Sequence, residues 1–262
     1  ILAPEESGLL GLISQIAPTI AGGNTCIVLA SENKPLCSVT LAEVLSTSDV
    51  PGGVINILTG NRKELIPHFD KNYRTTKFKV AIGQESTANY INYFLLNNKT
   101  SISGFIAISP KFSYNMENYI IKRFDKIKSN IFYYLVSSNT DFKSIDERTK
   151  MLSENLLNLN NDLVSFKYKQ HENLTHYNLP IHSISEGFEH IFATYSAINS
   201  IEYNSVLSKI QTSPVKYLIN KYENIANYYG VNKEILINDF RAVEKYIEDS
   251  EQFKFYKDLS KL

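Results

Sequence analysis

Apolar residues near the start of the chain repeat at helical spacing. Leu9, Leu10, Leu12, Ile13, Ile16, Ala17 and Ile20 fall on or beside one stripe, and Gly22-Gly23 supplies a stop. Thr25–Leu29 is a short apolar run suited to a buried parallel strand. Pro35 opens a second helix through Leu45, with Leu41, Val44 and Leu45 on its inner face. Gly53–Leu58 predicts a second strand, and Glu64–Asn72 a helix. Lys77–Ile82 predicts a third strand, running into Gly83 and a helix from Thr87 to Leu96. The alternation continues with a strand at Gly104–Ser109, a helix at Tyr119–Ile127, a strand at Ile131–Val136 and a helix at Asp146–Leu159. Val164–Tyr168 then reads as a strand and Pro180–Tyr195 as a helix. Apolar strands alternating with helices predict an α/β fold, layered αβα, with a mostly parallel sheet. The helix-length links predict one mixed sheet containing the strands at 25–29, 53–58, 77–82, 104–109 and 131–136.

From Ser213 onward the pattern is purely helical. Ser213-Pro214 is a cap followed by proline at the first helical position. Leu218, Ile219, Tyr222 and Ile225 form an apolar stripe, Gly230 closes the helix, and Asn232 begins another. A helical extension therefore follows the α/β body.

Composition divides the chain near residue 60. All 17 Tyr and 14 Phe lie beyond that point, whereas residues 1–60 hold 7 of the 11 glycines, both cysteines and one basic residue, Lys34. This contrast reads either as two domains with different cores or as a join between two unrelated segments. Overall, 27 basic residues balance 27 acidic ones, which argues against a nucleic-acid footprint. Apolar runs fall far short of the ~20 residues a membrane helix needs, so no membrane span is expected. No basic stretch with an apolar core predicts a signal peptide, and localisation stays open. Cys26 and Cys37 make no disulfide framework, and both read as core thiols.

The chemistry concentrates beyond residue 60. Val80-Ala81-Ile82-Gly83-Gln84-Glu85-Ser86 reads as strand, tight turn and helix start. In α/β-hydrolases that geometry presents a nucleophile on a strained elbow beside backbone N–H groups. Gly83 could equally be a plain turn glycine. Ser86 stands one place late for the usual Gly-x-Ser-x-Gly pattern, with Glu85 in the nucleophile position. The strand at 131–136 runs into a polar loop carrying Asp141, with Asp146 close behind, and His176 follows in a later polar loop. Elbow, acid and histidine appear in the chain order of the hydrolase triad.

With the strings KVAIGQESTANYINYFL, GFIAISP, THYNLP and SPVKYL, residues 62–262 resemble the esterase family of α/β-hydrolases related to esterase D, in a branch with a helical tail. The resemblance implies carboxylester hydrolysis by a serine, a histidine and an acid. His176 matches the family histidine, and Asp141 or Asp146 the acid. Glu85 occupies the serine position. A carboxylate cannot become an alkoxide-like nucleophile, and it repels a developing oxyanion. The family's early strands and one oxyanion-hole loop are missing as well. A weak or inactive hydrolase is therefore expected, acting nominally on a small ester.

Residues 1–69 resemble a different family, the aldehyde dehydrogenases, through APEESGLLGLISQIAPTIAGGNT, CIVLASENKPL and LAEVLSTSDVPGGVINILTGNRKEL. There the region belongs to the NAD(P)-binding domain, which makes Glu32 and Gly60 the candidate cofactor contacts. Three departures weaken such a site. Glu5-Glu6 replaces a tryptophan-asparagine pair, Leu29 a ribose-contacting lysine, and Asn61–Leu65 a glycine-rich turn. No bound cofactor or metal is expected, and NAD affinity should be negligible. The two resemblances overlap at Lys63–Phe69. The expected organisation is a dehydrogenase-like fragment over 1–62, a partial hydrolase over 63–200 and a helical tail over 201–262. Two alternatives to the hydrolase reading are an NAD-dependent dehydrogenase fragment and a non-catalytic binding module contacting a protein through its tail.

Overall fold

The computed structural model describes residues 1, 3, 8–73, 75–98 and 100–262, without the side chains of 62, 63, 65 and 66. The Glu5-Glu6 departure lies outside the described residues. The chain forms two compact units. One comprises residues 1–75 with 79–187, and the other residues 76–78 with 188–262.

The first unit opens with α1 (Gly8–Ala21), β1 (Cys26–Leu29), α2 (Leu36–Ser46), β2 (Ile55–Leu58) and α3 (Arg62–Asn72). β1 and β2 pair in parallel, Cys26 opposite Ile55 and Leu29 opposite Leu58. Leu12 and Ile16 from α1 and Leu41 from α2 pack on Cys26 and Val28. Because strand side chains alternate, Ile27 points to the other face and is exposed. The inner face of α2 differs from expectation. Leu41 is buried, but Val44 and Cys37 reach solvent and Ser38 takes the buried position. Cys26 is a core thiol; Cys37 is not.

Next come β3 (Val80–Gln84), α4 (Ser86–Leu96), β4 (Gly104–Ile108), α5 (Met116–Phe124), β5 (Ile131–Ser138), α6 (Lys143–Leu157), β6 (Val164–His171) and α7 (Leu179–Ile191). The four strands form a separate, wholly parallel sheet in the order β3-β4-β5-β6. The single mixed sheet expected from the connections therefore divides in two. Helix-length links dictate parallel direction but not which strands become neighbours.

Every residue of β4 and β5 is buried, and both strands are mainly apolar, β5 ending in the buried Ser137 and Ser138. Phe105, Ala107, Tyr133 and Leu135 face the core built with Ile91, Leu95, Met116, Ile120, Phe124 and Leu152 of α4, α5 and α6. The alternate residues face α7. Gly187 lies so close to Ile106 that an added Cβ would come within 2.6 Å of its Cδ1. Glu186 of the same helix accepts a hydrogen bond from Tyr134 Oη at 2.8 Å. Helices thus cover both faces of this sheet in an αβα arrangement. Arg148 of α6 braces α5 from the side, gripping both carboxylate oxygens of Glu117 and the carbonyls of Phe112 and Ser113.

The second unit contains α8 (Ser200–Ser205), a 3-10 turn at Leu207–Lys209, α9 (Pro214–Tyr229), α10 (Ile237–Asp249), a 3-10 turn at Phe253–Phe255 and α11 (Tyr256–Leu259). Ser213 caps α9 by accepting from the Lys216 N–H at 3.4 Å, and Gly230 ends it in the left-handed region at φ 66°. α10 starts at Ile237 rather than at Asn232. Leu218 packs with Val243 and Ile247 in one cluster. The buried Asp239 accepts from the Ile198 N–H at 2.6 Å and from Tyr222 Oη at 2.8 Å. No helix among the described residues is long and apolar enough to cross a membrane.

Candidate active site

A single residue, Glu85, separates β3 from α4. Its backbone has φ 54° and ψ −116°, a region that non-glycine residues enter only under strain of about 1–3 kcal/mol. Surrounding hydrogen bonds hold it there. The Glu85 N–H donates to the Ile108 carbonyl at 3.0 Å, and its own carbonyl accepts from the N–H groups of Asn89 and Lys111, each at 3.1 Å. Gly83 makes the tight turn possible, since an added Cβ would sit 2.5 Å from the Thr87 carbonyl oxygen and 2.6 Å from the Ala88 nitrogen. This is a steric reason for glycine two residues before the elbow.

Three strand ends converge here. Asp141 follows β5 and His176 follows β6, both beyond the carboxyl ends of the parallel sheet, where α/β sites gather. His176 Nδ1 lies 2.8 Å from Asp141 Oδ1, and His176 Nε2 lies 3.9 Å from Glu85 Oε2. The Asp141 side chain is fully enclosed, that of His176 is 10% exposed and that of Glu85 25% exposed. The Phe142 N–H donates to Asp141 Oδ1 at 2.7 Å, and Ser109 Oγ donates to Oδ2. Ser109 is itself buried at a positive φ of 44°, a second strained residue beside the first. Gln84 Nε2 donates to the His176 carbonyl at 2.6 Å, tying the histidine loop to the end of β3.

These contacts separate the two acids. Asp146 accepts from Ser137 Oγ at 2.6 Å and from Gln170 Nε2 at 2.9 Å, and so links β5 to β6. Asp141 is the acid beside the imidazole. Ser86 occupies the first position of α4 and is exposed, whereas the strained elbow residue itself is Glu85.

The electrostatics follow from the geometry. Burial opposes charge on Asp141, but the hydrogen bonds from His176, Ser109 and Phe142 outweigh it and hold its pKa below the usual carboxylate value. The hydrogen bond to Asp141 pushes the His176 pKa up; burial opposes this, and the charges of Asp141 and Glu85 reinforce it. An imidazole oriented through Nδ1 by a carboxylate, with Nε2 facing the elbow, is arranged to take a proton there.

Sequence reasoning missed Ser109, Lys111, Phe142 and Tyr177. Lys111 Nζ lies 3.5 Å from Glu85 Oε1. The Phe142 and Tyr177 rings flank His176 edge-on, with centroids 5.2 and 5.5 Å away. Ser109 and Lys111 follow the carboxyl end of β4, a position where the rule that found Asp141 could have been applied again.

The other candidate pair lies in the first sheet. Glu32 and Gly60 follow the carboxyl ends of β1 and β2, and both are exposed. Space around Gly60 is open: a Cβ there would meet nothing within 4 Å. Leu29, at the position of the expected ribose contact, is buried. No group of three or more His, Cys, Asp or Glu residues suited to a metal ion occurs among the described residues.

Comparison with known proteins finds two kinds of similarity. The aldehyde dehydrogenase family matches residues 2–92. A hydroxyisobutyraldehyde dehydrogenase from Mycolicibacterium austroafricanum is 38% identical over 63 residues, covering 24% of this chain and 12% of that protein. A 2-hydroxymuconic semialdehyde dehydrogenase from Pseudomonas sp. (strain CF600) is 37% identical over 60 residues, 23% of this chain and 12% of that protein. The chain thus spans only about 12% of the length of these relatives. In three dimensions, an uncharacterised protein from Capnocytophaga ochracea superposes with a TM-score of 0.69 at 17% identity, covering 91% of this chain and 74% of that one. An IroE-like serine hydrolase from Shewanella oneidensis superposes with a TM-score of 0.53 at 14% identity, covering 74% of this chain and 61% of that one. Both resemblances read from the sequence are therefore present. A short stretch is similar to aldehyde dehydrogenases, and the chain shares an α/β fold with a serine hydrolase.

Proposed function

We propose that the body around β3–β6 is a hydrolase-type site in which Glu85 takes the serine's place, so that serine-type ester hydrolysis is absent or feeble. One observation carries this reading. The strained elbow residue is Glu85, with its carboxylate 3.9 Å from the Nε2 of a histidine whose Nδ1 meets Asp141. Asp141 and His176 would act as orienting acid and proton acceptor, and Ser86 would take no part. The chain should hydrolyse short-chain nitrophenyl esters no faster than a His176→Ala control, and a fluorophosphonate probe should leave it unlabelled. Labelling that Ser86→Ala abolishes would overturn the reading and make Ser86 the nucleophile.

The dehydrogenase-like stretch, taken as residues 1–62, would act on its own neither as an oxidoreductase nor as a nucleotide site. Exposed Glu32 and Gly60, with Leu29 buried at the end of β1, support this. The organisation proposed is a joined dehydrogenase-like fragment, a partial hydrolase over 63–200 and a helical tail over 201–262. Recruitment of a protein partner by that tail has little support, because Leu218 and Ile225 of its stripe are buried and Ile219 and Tyr222 are half-buried.

A further inference from the structure

α1 is apolar on two opposite sides. Leu12 and Ile16 turn toward Cys26 and Val28 of the smaller sheet and are buried. Leu10, Ile13, Ala17 and Ala21 recur at spacings of three and four along the other side, and all four are exposed, Leu10 by 61% and Ile13 by 39%. No residue of this helix, GLLGLISQIAPTIA, carries a charge. A helix on a protein surface turns charged and polar residues outward, and one that is apolar all round belongs in an interior. α2 packs on the same face of the sheet, and its Leu36 and Val39 are exposed too, Leu36 by 77%. The two helices meet at their starts, where a Cβ added to Gly8 would lie 3.8 Å from Cys37 Sγ. Their outward sides therefore make one continuous, largely apolar surface.

We propose that a second copy of this chain packs on this surface, as an antiparallel α1–α1 pair across a two-fold axis beside Ile13. The inference goes beyond the hydrolase-type reading and does not depend on it.

Charge, shape and extent select that occupant. Residues 1–60 hold only six charged side chains, against 27 basic and 27 acidic in the whole chain. A partner recognised by charge finds no ionic group on α1, whereas pairing the helix with its own copy brings no like charges together. The exposed stripe also grades from large to small, with Leu10 and Ile13 toward the start of α1 and Ala17 and Ala21 toward its end. Laid antiparallel on itself, it sets Leu10 of each copy over Ala17 of the other, a large side chain into a shallow place. A parallel arrangement would stack Leu10 on Leu10 and leave Ala17 facing Ala17. The antiparallel arrangement is the isologous contact through which closed homodimers form, the same patch being used by both subunits. In extent, the 14 residues of α1 span about 21 Å. A helix pair of that length falls short of the ~1,200 Å² at which specific, stable interfaces begin. The dimer is accordingly weak and reversible, with a dissociation constant in the micromolar range.

Sedimentation of the full chain over a concentration series, from low to several hundred micromolar, is the test. The parent should pass from monomer to dimer and go no further. Ile13→Glu and Ile13→Lys each set like charges against one another across the axis and should weaken the dimer about 10²-fold or more. Because Ile13 is exposed, both variants should keep the parent's circular dichroism and melting temperature. An equimolar mixture of the two should dimerise again, since Glu then faces Lys. In a Cys37→Ser background, Ile13→Cys should cross-link to its own copy on oxidation. A parent that stays monomeric at every concentration leaves this face to a different occupant and overturns the proposal. A dimer that survives both single variants, a mixture that stays monomeric, or association that grows past the dimer overturns it as well.

Discussion

In the four-stranded sheet every residue of β4 and β5 is buried, whereas in the two-stranded sheet Ile27 and Leu58 reach solvent. The difference is one of coverage. α4, α5 and α6 pack on one face of the larger sheet and α7 on the other. α1 and α2 pack beside Cys26 and Val28, whereas Ile27 on the other face is partly exposed. Parallel strands normally have both faces covered, because the helical crossovers between them pack on the faces of the sheet. The same contrast decides where chemistry can gather. The larger sheet brings Glu85, Asp141 and His176 together beyond three strand ends, while the smaller offers only the exposed Glu32 and Gly60 beyond two. A parallel sheet makes a site when neighbouring carboxyl ends are numerous enough for side chains to converge.

The comparison can be broken most directly at the cores. Phe105→Ala in β4 should cost about 3–5 kcal/mol, read as a fall in the urea midpoint. Ile27→Ala in β1 should change it by only about 0.5 kcal/mol, as for other exposed sites. Equal effects would show that the two sheets are equally covered.

Next in size is the repair of the elbow. Glu85→Ser should introduce a nucleophile that a fluorophosphonate labels. Its nitrophenyl ester turnover should still lie about 10²–10³-fold below a complete site, the usual cost of one missing oxyanion donor. A rate in the normal esterase range would show that the donor set is whole.

A smaller effect concerns pH. His176 has a raised pKa in the folded chain, so its contribution is fully present below the unfolded value of about 6.5 and is lost as pH rises through the folded value. Asp141 has a lowered pKa, so its contribution is present above about 3.9 and is lost as pH falls through the folded value. Thermal melts should therefore show stability decreasing on the alkaline side, and His176→Gln should flatten that limb. An unchanged limb in the variant would remove His176 as its source.

The smallest expected effect is none. NAD titrated onto the chain should give no saturable thermal shift at micromolar concentration, whereas a shift would restore the smaller sheet as a nucleotide site.

Much of this was legible from local pattern. The period of apolar residues marked the strands and most helices, because burying one face dictates spacing within a segment. Ser213 and Gly230 bounded α9 for reasons contained in a few residues. The order of elbow, acid and histidine, and the departure at Glu85, were visible for the same reason. Other features depended on contacts between distant segments. α8 was missed, since a helix of six residues carries too little periodicity to read. Division into two sheets was invisible, because helix-length connections are compatible with either partner. The choice of Asp141 over Asp146 turned on Ser137 and Gln170 engaging the latter while His176 meets the former, with partners up to 35 residues away. Ser109, Lys111, Phe142 and Tyr177 joined the site only because β4, β5 and β6 end side by side. Periodicity and capping are properties of a short stretch of chain and are written in it. Which ends meet is decided by the pairing and packing of whole elements, and no single stretch records that.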